Sequence, residues 1–308
     1  MDSFVGRLAV VTGGGTGMGR ELVIQLAAEG CSVATCDINV DHMSETARLA
    51  EKNAPADARI TTHLADVSDE AQMNRFRDEV VTQHETDHLD LLFNNAGIGG
   101  GNSFLTGPRD AWDKTFAVCW GGVYNSMRAF TDLVVASDEG YVINTSSVNG
   151  FWASLGPGVP HTAYSAAKFA VKGFTEALME DFRVNAPHVH VAVVMPGHVG
   201  TDIVINSRQI LGIDLDEARW QLASRGLATD DMSDDDILNV MKMFGEMFRD
   251  NAPLTAEQAA TIILDGVRAG EWRILVGDDA HALDEAVRAD PEGAYGEHGL
   301  NLDTITGR

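Results

Sequence analysis

Apolar residues open the chain in short unbroken runs, RLAVVT at 7–12 and SVATCD at 32–37, separated by a longer stretch in which they recur every three or four positions. The first pattern is that of a strand buried on both faces, the second that of an amphipathic helix. Further strand-like runs follow at 59–64, 89–94, 140–146, 189–195 and 273–277, with helical patterns near 18–29, 41–53, 69–84, 110–136, 163–184 and 256–269. Strands without a polar face, alternating with helices, predict an α/β fold: a doubly wound parallel (Rossmann) sheet of seven strands, with helices on both faces.

No repeat or low-complexity linker divides the chain, so 1–308 reads as one domain with two additions. The first, about 202–254, contains DDDILNVMKMFGEMF, in which Ile237, Leu238, Met241, Phe244, Met247 and Phe248 keep a helical period and predict one or two amphipathic helices. These residues either cover the core or form an apolar lid, because loops at strand carboxyl ends build the ligand site of such sheets. Asp234–Asp236 lacks the alternating ligands and central glycine of a calcium loop and reads as helix-start charge. The second addition, about 278–308, is acidic with one short helix, a tail or an intersubunit arm.

Composition narrows the partners. With 22 Lys+Arg against 46 Asp+Glu the net charge is −24, which opposes nucleic acid or an anionic membrane as a partner. Cys31, Cys36 and Cys119 have no C-x-x-C spacing, so free buried thiols are expected, with neither disulfide nor metal site. The opening MDSFVGRLAVVTGGG has no basic segment leading into an apolar one, and a cytoplasmic protein is expected.

Between the first strand and first helix stands TGGGTGMG, 12–19. Gly13, Gly17 and Gly19 let the backbone turn tightly and approach a pyrophosphate, whose charge the free N–H groups and helix dipole would meet. Asp37 ends the second strand, where a carboxylate accepts from ribose hydroxyls and repels a 2′-phosphate. Neither the glycine loop nor Ile38 and Asn39 offers a cation, so NAD is expected over NADP. Asp66 falls where a carboxylate can bind the adenine amino group, while Ser68 beside it reads as a helix N-cap.

TAYSAAK, 162–168, places Tyr164 one helical turn before Lys168. A phenol ionises near pH ~10, and a neighbouring cation lowers that value toward the range of a useful acid or base.

Taken together, TGGGTGMG (12–19), NNAG (94–97), INTSS (143–147), YSAAK (164–168) and PGHVGT (196–201) stand in the order of the short-chain dehydrogenases/reductases, which the chain resembles from about 5 to 277. The resemblance implies an NAD-dependent oxidoreductase that interconverts a secondary alcohol and a ketone, here on a fairly apolar substrate. It implies Tyr164 as general acid/base, Ser147 in preference to Ser146 as holder of the substrate oxygen, and Lys168 as tuner of the phenol and ligand of the nicotinamide ribose. The cofactor set carried over is Gly13, Gly15, Thr16, Gly17, Met18, Gly19, Asp37, Ile38, Asp66, Val67, Asn95, Ala96, Gly97, Tyr164, Lys168, Pro196, Gly197, Val199 and Thr201. Cys119 stands where relatives commonly have an asparagine whose main-chain carbonyl holds a proton-relay water; that carbonyl survives the change of side chain. The span from Ser147 to Tyr164 is longer than usual, through SLGPGVPH, and brings His161 near the substrate mouth. His198 either faces the pocket or, as the default for a turn histidine, faces solvent. A homodimer or homotetramer built through helices 110–136 and 163–184 is also implied. The rival reading is a dinucleotide-binding regulatory or scaffold protein with impaired turnover.

Overall fold

A computed structural model of the chain describes residues 1–224, 227–229 and 231–301. Among the described residues nine strands form: β1 (Leu8–Thr12), β2 (Ser32–Asp37), β3 (Ile60–Leu64), β4 (Leu91–Asn94), β5 (Tyr141–Thr145), β6 (His190–Pro196), β7 (Val199–Gly200), β8 (Leu254–Thr255) and β9 (Arg273–Val276). Seven make one parallel sheet in the order β3-β2-β1-β4-β5-β6-β9. The unbroken apolar runs have the predicted cause. Leu8 and Val10 of β1 pack into one core with Phe76, Phe130 and Val171, whereas Ala9 and Val11 pack into another with Leu22, Leu26 and Ile263.

Helices α1 (Gly17–Ala28), α2 (Val40–Glu51), α3 (Glu70–His84) and α6 (Thr162–Asn185) stand close to where their periodicity placed them. The helix expected over 110–136 does not run through. α4 (Arg109–Phe116) passes into a π-helical turn at Ala117–Gly121 before α5 (Gly122–Val135). A Cβ on Gly122 would come within 2.6 Å of the Val67 side chain, so the helix passes this point only with glycine.

The insertion is flanked by β7 and β8, which pair in parallel, and its described residues carry three helices where one or two were expected: α7 (Ile203–Leu211), α8 (Leu215–Ser224) and α9 (Asp234–Asp250). Ile237 and Met241 are buried in a small core with Ala218 and Leu222, and Phe244 packs against it. Leu238 and Met247 instead face solvent, 54% and 48% exposed. The acidic run begins α9, with Ser233 and Asp236 capping each other's backbone N–H.

After α10 (Ala256–Arg268) and β9, α11 (Asp278–Ala289) continues the chain. The described part of the C-terminal stretch folds onto its own chain: Ala280, Leu283 and Ala294 enclose Trp152. The Trp152 indole N–H donates to Ala294 O at 3.1 Å, and the Ala153 N–H donates to the Tyr295 hydroxyl at 3.0 Å. Among the described residues no helix is long and apolar enough to cross a membrane.

Candidate active site

Strand order reverses between β1 and β4, and a crevice opens at their carboxyl ends. Thr12 ties the two ends together, its hydroxyl accepting from the backbone N–H of Asn95 (3.0 Å) and Ala96 (3.1 Å). Gly13 has φ +70°, and a Cβ there would lie 2.8 Å from Ala96 Cα; on Gly19 it would strike the Gly13 carbonyl. Thr16, at the start of α1, makes no side-chain cap, so the first N–H groups of the helix are not met by it.

Two cavities follow the crevice. The smaller, about 380 Å³, is lined by Gly13, Thr16, Gly17, Asp37, Ile38, Asp66, Val67 and Ala96 among others. The larger, about 550 Å³, takes in Ser147, Tyr164, Lys168, Pro196, Gly197 and Val199. Met18, Asn95, Gly97, Thr201, Ile203 and Ser207 line both and form their common wall. Three residues of the expected set line neither. Gly15 contributes its N–H to Asp37 Oδ2 (3.0 Å), Gly19 is tight packing behind the loop, and Cys119 is fully buried.

The second oxygen of Asp37 accepts from the Asn39 N–H at 3.1 Å. Arg20, just beyond the glycine loop, gives its guanidinium to Gly15 O, His42 O and Thr46 Oγ1, which holds it on the far side of the loop. Lys114, which the motifs did not single out, enters the smaller cavity and pairs with Asp66 at 2.8 Å. Burial raises the Asp66 carboxyl, but hydrogen bonds from Lys114 and Ser68 outweigh it and hold it below its ordinary value. Ser68 is not the N-cap of α3. Asp69 caps the helix by accepting from the Gln72 N–H, and Ser68 donates to Asp66 at 2.6 Å.

Tyr164 and Lys168 lie in the first two turns of α6, with Lys168 Nζ 5.4 Å from the centre of the phenol ring. Lys168 is buried and donates to Thr145 O at 2.9 Å. The two serines after β5 have different partners: Ser146 donates to Lys168 O at 2.7 Å, while Ser147 hydrogen-bonds the Tyr164 phenol. The lowering of the phenol expected from Lys168 is not found. Burial pushes the phenol above its ordinary value, the Cys119 sulfur adds to this, and the Ser147 bond only partly opposes it. Burial likewise lowers the Lys168 ammonium. Cys119 sits in the π-helical turn and donates to Ile98 O at 3.1 Å; burial raises its thiol, against the pull of Lys168.

His198 does not simply face solvent. Its ring nitrogen lies 2.6 Å from Phe248 O, its ring 4.4 Å from the Phe248 ring, and its backbone N–H donates to Asp279 Oδ2 at 2.7 Å. Asp279 is buried, lines the larger cavity, and seats its carboxylate over Gly197, where a Cβ would collide with it. Its other oxygen has no partner among the described residues. Sequence reasoning passed over Asp279 because an aspartate at a helix start already has a local explanation. From the insertion, Phe244 and Phe248 line the same cavity, together with Leu211, Ile213 and Trp220.

A family model described as short chain dehydrogenase matches residues 7–211. A protein of Mycobacterium tuberculosis named as an oxidoreductase, SadH, is 33% identical over 290 residues, covering 94% of this chain and 92% of its own. Levodione reductase of Leifsonia aquatica is 31% identical over 209 residues, 68% of this chain and 75% of its own. Among solved structures, a short chain dehydrogenase/reductase from Burkholderia phymatum in complex with NAD superposes with a TM-score of 0.75 at 23% identity, covering 100% of this chain and 97% of that one.

Proposed function

The chain belongs to the short-chain dehydrogenase family, and from that premise we propose that it is an NAD-dependent oxidoreductase interconverting a secondary alcohol and a ketone on a fairly apolar substrate. The observation that carries the reading is the Tyr164 phenol, hydrogen-bonded to Ser147 and flanked by Lys168, in a cavity that shares a wall with the glycine-loop crevice.

The crevice fits a dinucleotide on its own features: glycines whose side-chain space is already filled by backbone, uncapped N–H groups at α1, and a carboxylate at the end of β2. Asp37 favours NAD, since a 2′-phosphate would meet this carboxylate while Arg20 is engaged behind the loop. When bound, a nicotinamide supplies or takes up the hydride. Tyr164 gives its phenolic proton to the carbonyl oxygen in reduction and recovers it from the hydroxyl in oxidation. Ser147 holds that oxygen, and Lys168 holds positive charge beside the phenol as it ionises. A phenol kept protonated by burial is ready to donate, so reduction suits neutral pH and oxidation gains as pH rises.

Phe244, Phe248 and Trp220 act as an apolar lid over the substrate, and Cys119 keeps the backbone carbonyl of the relay within a distorted helix. A cytoplasmic homodimer or homotetramer fits the exposed Tyr124 of α5 and Phe169 of α6. The alternative of a binding protein without turnover is set aside, because it gives no reason for a buried lysine and a serine to flank one phenol. The test is nicotinamide absorbance with a panel of apolar ketones and secondary alcohols: cofactor-dependent turnover is expected, and binding without turnover on any of them would favour the alternative.

A further inference from the structure

His161 precedes α6 in the N-cap position, yet its side chain makes no cap and lines the larger cavity instead. Its imidazole lies against the Tyr164 phenol, ring centres 4.8 Å apart and planes tilted by 33°. Its Nδ1 is 3.3 Å from Oδ1 of Asn102, which lines the same cavity. Burial pushes the imidazole down to about 4, so it is neutral through the physiological range. A neutral ring that gives its Nδ1 hydrogen to an amide oxygen carries a lone pair on Nε2, and that nitrogen has no partner among the described residues.

On the substrate side of the same cavity stand Leu155, Leu211, Ile213, Trp220, Phe244 and Phe248, alongside polar residues that include Asn149 and Gln221. An unmet acceptor in such surroundings disfavours a purely hydrocarbon ligand and rewards one that brings a hydrogen. The two rings are in contact, so a single small ligand can present one oxygen to the phenol and a second to the imidazole. We propose that His161 is a specificity residue whose Nε2 accepts a hydrogen bond from a hydroxyl one or two carbons from the reacting carbon, so that the substrate class is hydroxyketones and the corresponding diols.

The inference rests on the reading of this cavity as a ketone site, and its test separates the two. Calorimetry on the NAD complex compares 2-hydroxyacetophenone with acetophenone; neither offers the oxidised cofactor a secondary alcohol, so binding alone is read. The hydroxyketone should bind about five-fold more tightly to the wild type, the worth of one neutral hydrogen bond. His161→Phe, which keeps a ring against Tyr164, should erase the difference, and H161Q, which restores an amide acceptor, should recover part of it. Equal binding of the two ketones to the wild type, failure of both to bind, or an advantage that survives in H161F would overturn the proposal. Equal binding of the two ketones to the wild type with turnover intact sinks this inference alone, whereas absence of turnover on every ketone sinks the proposed function and leaves the ratio readable.

Discussion

The backbone N–H of His198 donates to Asp279 Oδ2 at 2.7 Å, so the turn after β6 is held by the first turn of α11. The other side of the same turn is held by α9, through His198 and Phe248 O. Both C-terminal additions to the sheet therefore clamp the Pro196–Val199 wall of the larger cavity.

Asp279→Ala should loosen this wall. A hydrogen bond to a charged acceptor contributes about 1.5–3 kcal/mol, so NADH affinity is expected to fall by about ten-fold or more, with Asp279→Asn losing less because an acceptor oxygen remains. Fluorescence titration of NADH checks it. Unchanged affinity in D279A would mean that the clamp does not shape the cofactor site.

Asp37→Ala removes the acceptor of the Gly15 N–H together with the charge proposed to exclude a 2′-phosphate. The kcat/KM for NAD should drop and the NADP-to-NAD ratio should rise. An unchanged ratio would contradict the account of cofactor choice.

Much of this was legible in the sequence, for a definable reason. The sheet declares itself because β1 and β4–β6 are buried on both faces, and the glycine loop and the Tyr164–Lys168 pair are local patterns whose neighbours lie within a few residues. What was missed depends on contacts distant in sequence. The π-helical turn at Cys119 runs into Gly122, which packs on Val67 from another element, and the exposure of Leu238 and Met247 depends on the small core that α9 shares with α8. Asp279 and Ala294 meet Gly197 and Trp152 only once the chain has folded back. The raised phenol had the same origin: spacing supplied a cation beside Tyr164, while burial, which opposes it, is a property of the whole fold.

Trp152 is the seal between the loop after Ser147 and the C-terminal stretch. Trp152→Phe forfeits the bond to Ala294 O, about 1 kcal/mol, whereas Trp152→Ala opens a core cavity and should cost about 3–5 kcal/mol. Urea unfolding of both variants measures the two steps. Equal losses would contradict the role of the indole N–H.

Acid sensitivity should include a histidine component. His84 has Nε2 2.8 Å from Thr61 Oγ1 and is pushed from 6.5 to about 4, chiefly by burial and further by Arg59 and His63. The unfolded chain takes up this proton near 6.5 and the folded chain only near 4, so stability is fully present above the first value and falls across the interval as pH drops. Melting temperatures measured from about pH 7 down to about pH 4 should fall more steeply for the wild type than for His84→Gln. Parallel curves would contradict the assignment.

The central claim is that the Tyr164 phenol carries the proton of the reaction. Tyr164→Phe keeps the ring and removes only the hydroxyl, so its ketone reduction with NADH, measured beside NADH binding, tests the claim most directly. Turnover should fall by about a hundred-fold or more while NADH binds nearly as before. Near-normal turnover in this variant would contradict the account.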